Sequence, residues 1–170
     1  ATLDIPAEYV YNGKKYPITM VGFYATLVKN DASGVKEVII PSSARIVSQK
    51  VFTNFPNLEK VTIAEGLETI EAHAFWKCSK LSDITLPSTL KSIGAYSFAN
   101  CSSLVSITIP ASVTDFGKNN FNSYTDSMEI YIEGQPEKAP ANTGNAYYYT
   151  NVTITDDGLI FRQDSLSGGP

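Results

Sequence analysis

The chain repeats itself every 23 residues, without a gap, through most of its length. Units begin at Val35, Leu58, Leu81 and Leu104, and the third residue after each start is Val38, Val61, Ile84 or Ile107. The fifth is Ile40, Ile63, Leu86 or Ile109, followed by Pro41, Ala64, Pro87 or Pro110. Further columns read Ala44, Leu67, Leu90, Val113 and then Val47, Ile70, Ile93, Phe116. The column Phe52, Phe75, Phe98, Phe121 has no exception, and Phe55, Cys78, Cys101, Tyr124 follows it. Apolar residues that keep their column while their neighbours vary must bury one stripe against the units before and after, which is the signature of a solenoid.

Each unit opens with a short stretch rich in β-branched residues, so the openings are expected to stack as parallel strands about 4.8 Å apart. Proline closes three of the four, where its missing N–H harms the ladder least, and Gly94 and Gly117 mark a second corner. The run from Ser97 to Cys101 has room for little more than a turn of helix. Outside the complete units, Ile18, Val21 and Gly22 echo the second apolar run, and Ile130 and Ile132 echo Ile107 and Ile109. Two hairpins are predicted in the flanks: Tyr9 to Tyr16 around Asn12-Gly13, and Val152 to Phe161 around Asp157-Gly158. Both are expected to act as caps, since bare terminal strands recruit other chains. One domain is predicted over residues 1–170: an N-terminal hairpin and irregular repeat at 1–34, four repeats at 35–126, and a last strand with cap and tail at 127–170.

The unit Leu81-Ser82-Asp83-Ile84-Thr85-Leu86-Pro87-Ser88-Thr89-Leu90-Lys91-Ser92-Ile93-Gly94-Ala95-Tyr96-Ser97-Phe98-Ala99-Asn100-Cys101 resembles the BspA-like leucine-rich repeat, LxxIxLPxxLxxIGxxAFxxC. The likeness is close from Val35 to Tyr124, loose from Ile5 to Gly22, and absent from Glu133 to Pro170. It departs where Ala64 replaces the proline, Phe55 the cysteine, and Ser48 and Glu71 the glycine. The resemblance implies an α/β fold: a right-handed leucine-rich-repeat solenoid of 23-residue repeats, β-rich with parallel strands and short helical turns, capped by terminal β-hairpins. It also implies a secreted or cell-surface bacterial protein, a protein partner such as a host extracellular-matrix or other surface protein, and no shared catalytic residues.

The residues themselves exclude several functions. A net charge of −4 leaves no electrostatic footprint for nucleic acid. No apolar run approaches the ~18 residues of a membrane span, and the opening at Ala1 carries no leader pattern, so a removed targeting segment is expected. Ser33 to Lys36 and Ser88 to Lys91 fit Ser-x-x-Lys at chance frequency, and Asp115-Phe116-Gly117 is a repeat corner rather than a kinase triplet. His73 shares a column with Lys50, Tyr96 and Asn119 and is expected to face solvent, with no second histidine to share a metal. Cys78 and Cys101 read as stacked buried thiols, although rung spacing also permits a disulfide. No catalytic, cofactor or metal site is therefore expected.

Outward strand columns pair Lys36 with Glu59 and set Glu37 and Asp83 beside Lys60, so the charges cancel along the face. A polysaccharide hydrolase would instead need two uncompensated carboxyls in a cleft. Continued by one period, the columns run Lys36, Glu59, Ser82, Val105, Met128 and Ile39, Thr62, Thr85, Thr108, Tyr131, turning apolar toward the C-terminal end. Val105, Thr108, Met128, Glu129 and Tyr131 are the candidate protein-binding residues, unless Tyr147, Tyr148 and Tyr149 fold back over them. The rival functions are a cell-surface spacer and a carbohydrate-active β-solenoid.

Overall fold

The computed structural model describes residues 1–22, 32–117 and 119–121, and as backbone strands 129–132, 149–155 and 158–163. It is a parallel-strand β-solenoid of about four turns with almost no helix. One parallel sheet stacks β1 (Thr2–Asp4), β5 (Glu37–Ile40), β7 (Lys60–Ile63) and β9 (Asp83–Ile84). A second sheet stacks β4 (Met20–Val21), β6 (Ile46–Val47), β8 (Thr69–Ile70), β10 (Ser92–Ile93) and β12 (Asp115–Phe116). The registers Val38↔Val61↔Ile84 and Val47↔Ile70↔Ile93↔Phe116 are those that the 23-residue period dictates.

Between the sheets lies one continuous core. Phe52, Phe75, Phe98 and Phe121 stack in sequence, with ring centroids 5.4, 5.7 and 6.4 Å apart and planes within 14° of parallel. The buried columns Leu58, Leu81, Leu104 and Leu67, Leu90 fill the space beside them. Cys78 and Cys101 are free buried thiols, donating to the carbonyls of Phe52 (3.1 Å) and Phe75 (3.2 Å) one rung earlier.

The α component expected of the fold is missing among the described residues, where the one helix is a three-residue 3-10 turn at Ala32–Gly34. Each turn segment instead carries residues with φ near +60° at fixed columns: Lys50, His73, Tyr96 and Asn119, and four positions later Asn54, Lys77 and Asn100. Left-handed residues four apart cannot continue an α-helix. They aim backbone groups at the neighbouring unit, so the turn segments form a ladder of their own: Phe52 N–H donates to Ala74 O (3.0 Å), Phe75 to Ser97 (2.9 Å) and Asn54 to Trp76 (2.7 Å).

The strand face is not the unbroken stack expected. β9 does not pair with β11 (Ser106–Ile109), which begins another sheet with β13 (Glu129–Ile132), β15 (Gly158–Gln163) and β14 (Tyr149–Thr155). Proline supplies part of the reason. Ala64 N–H donates to Ile40 O at 3.1 Å, a bond that Pro87 and Pro110, lacking an N–H, cannot make to the units before them. The third and fourth units stay joined through β10 and β12, through Gly117 N–H to Ile93 O (2.7 Å), and through the phenylalanine stack.

The two hairpins differ. β14 and β15 pair antiparallel, and β15 pairs with β13, so the C-terminal hairpin extends the strand face. The N-terminal hairpin, β2 (Glu8–Tyr11) with β3 (Lys14–Pro17), pairs with neither sheet and leaves every one of its residues exposed. It therefore covers neither terminal strand by pairing, and none of its ten residues is buried or half-buried.

Candidate functional site

The strand face presents side chains on a rigid grid, one rung per unit. Two ion pairs bridge its first rungs, Lys36 Nζ to Glu59 at 3.1 Å and Lys60 Nζ to Asp83 at 3.3 Å, while Glu37 keeps its charge and accepts from the Thr2 hydroxyl at 3.1 Å. The groups of both ion pairs are solvent-exposed, so each pair contributes only tenths of a kcal/mol, roughly 0–1. Their effect is to weaken the net field of the face. Beyond the seam after β9 the character changes. Val105 is 62 % exposed, and Thr108 on β11 is exposed as well.

The parallel register sets Thr108 opposite Tyr131 and Ser106 opposite Glu129, so four of the five candidate residues lie on or beside one strand pair, β11 and β13. Met128 lies outside the described residues, as do the side chains of Glu129 and Tyr131 and all of Tyr147 and Tyr148. On the far side of β13, Tyr131 is opposite Ile160 and Glu129 opposite Arg162, so β13 is an inner strand rather than the edge of the face.

Columns on the turn side also bring rings together, which the sequence reading missed. His73 is half-buried rather than solvated. Its ring stacks on Tyr96, one period later, and meets Trp76 edge-on at 5.7 Å, while Lys77 Nζ sits 4.4 Å above the Trp76 ring. Asn119 Nδ2 donates to the Tyr96 hydroxyl oxygen at 2.6 Å. Burial, and then the Lys50 ammonium, lower the His73 pKa from its ordinary 6.5, and Nδ1 is buried without a hydrogen-bond partner. A signal was present: two rings 23 residues apart in a solenoid sit one rung apart, which is stacking distance.

A second feature invisible in the columns is buried polarity. Asn120 Oδ1 accepts from Ser97 N–H (2.7 Å), and Asn120 Nδ2 donates to the carbonyls of Gly94 (3.0 Å) and Gly117 (2.7 Å). Ser97 Oγ lies 2.9 Å from Glu71 O and 2.8 Å from Gly94 O, and its one hydrogen is shared between these two carbonyls. Both residues replace the apolar Val51 and Ala74 of the earlier units and satisfy backbone groups inside the corner.

None of this assembles into a reaction centre among the described residues. No group of three metal-ligating side chains occurs there, and the Cys78 thiol is pushed far up by burial, away from the thiolate a nucleophile needs. No helix there is long and apolar enough to cross a membrane.

Comparison with known proteins places this geometry. The family described as BspA type leucine rich repeat region matches residues 29–153 in six copies, reaching beyond the four complete units into residues 133–153, where the sequence reading saw no likeness. A leucine-rich repeat protein from Bacteroides ovatus is 30% identical over 80% of this chain, with a TM-score of 0.66, and this chain covers 34% of it. A leucine-rich repeat protein from T. pallidum is 31% identical over 71% of this chain, with a TM-score of 0.60 and 53% of that chain covered. The pneumococcal vaccine antigen PcpA shares the fold, at 23% identity over 78% of this chain, 40% of that chain covered and a TM-score of 0.60. The chain thus spans about a third to a half of the length of these proteins. No curated protein matches it. With its 23-residue units, stacked phenylalanines and repeat pattern in agreement, the chain belongs to the BspA-type leucine-rich repeat family.

Proposed function

We propose that this solenoid is a non-catalytic, adhesion-type protein-binding module working outside a bacterial cell or on its surface, with the C-terminal part of the strand face as its contact. The carrying observation is Val105: apart from the residues of the N-terminal segment, it is the one exposed large apolar side chain among the described residues, and it lies on the strand face. Membership of a leucine-rich-repeat family and likeness to bacterial leucine-rich repeat proteins support a binding role over a catalytic one. The contact is proposed to comprise Val105, Thr108, Met128, Glu129 and Tyr131. An apolar and aromatic centre with a polar rim is the composition of a protein interface.

The rival spacer reading draws on the ion-paired rungs from Lys36 to Asp83, which offer a partner little. Pull-down of purified matrix and surface proteins by the chain separates the two. Binding that Val105→Lys and Tyr131→Ala each abolish at unchanged melting supports the contact. Binding that survives both removes it, and no capture from a broad panel leaves the spacer.

A further inference from the structure

The N-terminal hairpin is an insertion that packing does not require. Thr2 aligns with Glu37 and Met20 with Ile46, yet Met20 follows Thr2 by 18 positions and Ile46 follows Glu37 by 9. The corner joining β1 to β4 therefore holds nine residues more than the equivalent corner of the next unit, an excess that the ten-residue hairpin β2–β3 accounts for. It is held at its base: Ile18 N–H donates to Ala7 O (2.8 Å), and the one Ser43 hydroxyl hydrogen is shared between Ala7 O and Ile18 O, both at 2.9 Å. Insertions at one corner of a solenoid commonly mark a binding face.

Its two faces are unlike. The pairings Tyr9↔Tyr16 and Tyr11↔Lys14 put Tyr9, Tyr11, Lys14 and Tyr16 on one face, and Glu8, Val10, Lys15 and Pro17 on the other. On the second face Lys15 Nζ meets Glu8 at 2.9 Å, so its charge is spent. On the first, three phenol rings stand 60 %, 58 % and 43 % exposed for Tyr9, Tyr11 and Tyr16, and the one charge is the Lys14 ammonium, 5.5 Å from the Tyr16 ring centre. A cationic aromatic platform thus projects from a chain whose net charge is −4.

Size and edges narrow the occupant. Three half-exposed tyrosines offer roughly 400 Å² at most, from the area aromatic side chains bury. That is about half of the ~800 Å² per partner that a stable protein complex uses. Pairing of a peptide strand with the β3 edge is opposed by Lys14, Lys15 and Pro17, the residues that blunt edges against strand addition. What fits is slender and flat: sugar rings, whose C–H faces lie on phenol rings, bearing an anionic group for Lys14.

We propose that Tyr9, Tyr11, Tyr16 and Lys14 form a docking platform for an acidic polysaccharide, independent of the strand-face contact. Affinity electrophoresis of the whole chain tests it in gels containing polygalacturonate, dextran sulfate or plain dextran; the first two separate carboxylate from sulfate as the anionic group. The expected result is retardation by at least one acidic polymer, none by dextran, and weakening with salt. Tyr9→Ala combined with Tyr16→Ala, and separately Lys14→Gln, should weaken it at least about tenfold, or ~1.4 kcal/mol, with melting unchanged, whereas Val105→Lys should leave it intact. Retardation by neither acidic polymer, equal retardation by dextran, or retention that survives both hairpin variants overturns the proposal. So does sedimentation showing a dimer that the tyrosine variant returns to monomer, since the face would then join two copies of the chain.

Discussion

His73 lies flat on Tyr96, one repeat later, with ring centroids 5.0 Å apart and planes 14° from parallel. Protonation would put an N–H on both ring nitrogens, although the buried Nδ1 has no hydrogen-bond partner among the described residues, and would place a cation near Lys50. The folded pKa is therefore below the unfolded value of about 6.5. In the interval between them the unfolded chain binds the proton and the folded chain does not, so this contribution is intact above pH ~6.5 and is lost as pH falls below it. Melting should drop between pH 7 and pH 5, above the range where Glu65 and Glu68, both held below their ordinary 4.5, take up protons. His73→Asn, which accepts the left-handed backbone as Asn119 does, should flatten that drop. Identical slopes for the two proteins would dismiss the histidine as the cause.

The phenylalanine stack predicts a large, shared loss. Phe75→Ala or Phe98→Ala removes a fully buried ring that touches one above and one below, and should cost about 3–5 kcal/mol. Denaturant titration checks this, and a loss under about 1 kcal/mol at both sites contradicts the packing register.

Glycine is needed at the second corner for closeness, not for its backbone angles. A Cβ on Gly117 would sit 2.2 Å from Ala95 N, and one on Gly94 2.3 Å from Ala72 N, both backbone atoms of the preceding unit. Gly117→Ala must push two rungs apart and should cost more than about 2 kcal/mol. Gly13→Ala meets nothing within 4 Å at φ +73°, so it should cost only the left-handed penalty of about 1–2 kcal/mol, localised in the hairpin. The reverse ranking in thermal melts would refute this assignment.

Asn120 should be nearly irreplaceable at its corner. Asn120→Ala strips the partner from Ser97 N–H and from the Gly117 carbonyl, at about 1–3 kcal/mol for each group left unsatisfied, and leaves the Gly94 carbonyl to the Ser97 hydroxyl alone. Asn120→Asp should be worse, because a carboxylate keeps the acceptor and turns the two donor contacts into repulsions. Equal stability of the aspartate variant and the parent chain would remove the network from the account.

The buried thiols should be inert. The Cys78 and Cys101 thiols are fully buried, so a thiol reagent should label neither until the chain is unfolded, and reductant should leave the melting temperature unchanged. Rapid labelling of the native chain would contradict their burial.

Periodicity made the solenoid, its register and its phenylalanine spine readable, because a column that keeps its apolar character at fixed spacing has one way to be buried. The charge ladder was readable too: in a parallel stack Lys36 can only meet Glu59, and Lys60 only Glu37 or Asp83. Proline and glycine columns marked the corners, although the reason for Gly94 and Gly117 is contact between rungs rather than φ.

What the tertiary structure decided are the features that depend on three dimensions at once. The turn segments became a ladder of left-handed turns instead of helix, since neighbouring units supplied the hydrogen-bond partners. His73 was taken out of water by a ring that only stacking brings near, and Ser97 and Asn120 found backbone partners inside a corner where their columns began apolar. The Asn12-Gly13 hairpin was legible as a hairpin, but its bareness was not: strand propensity and turn chemistry are local, whereas whether a strand is covered depends on what the rest of the chain brings against it.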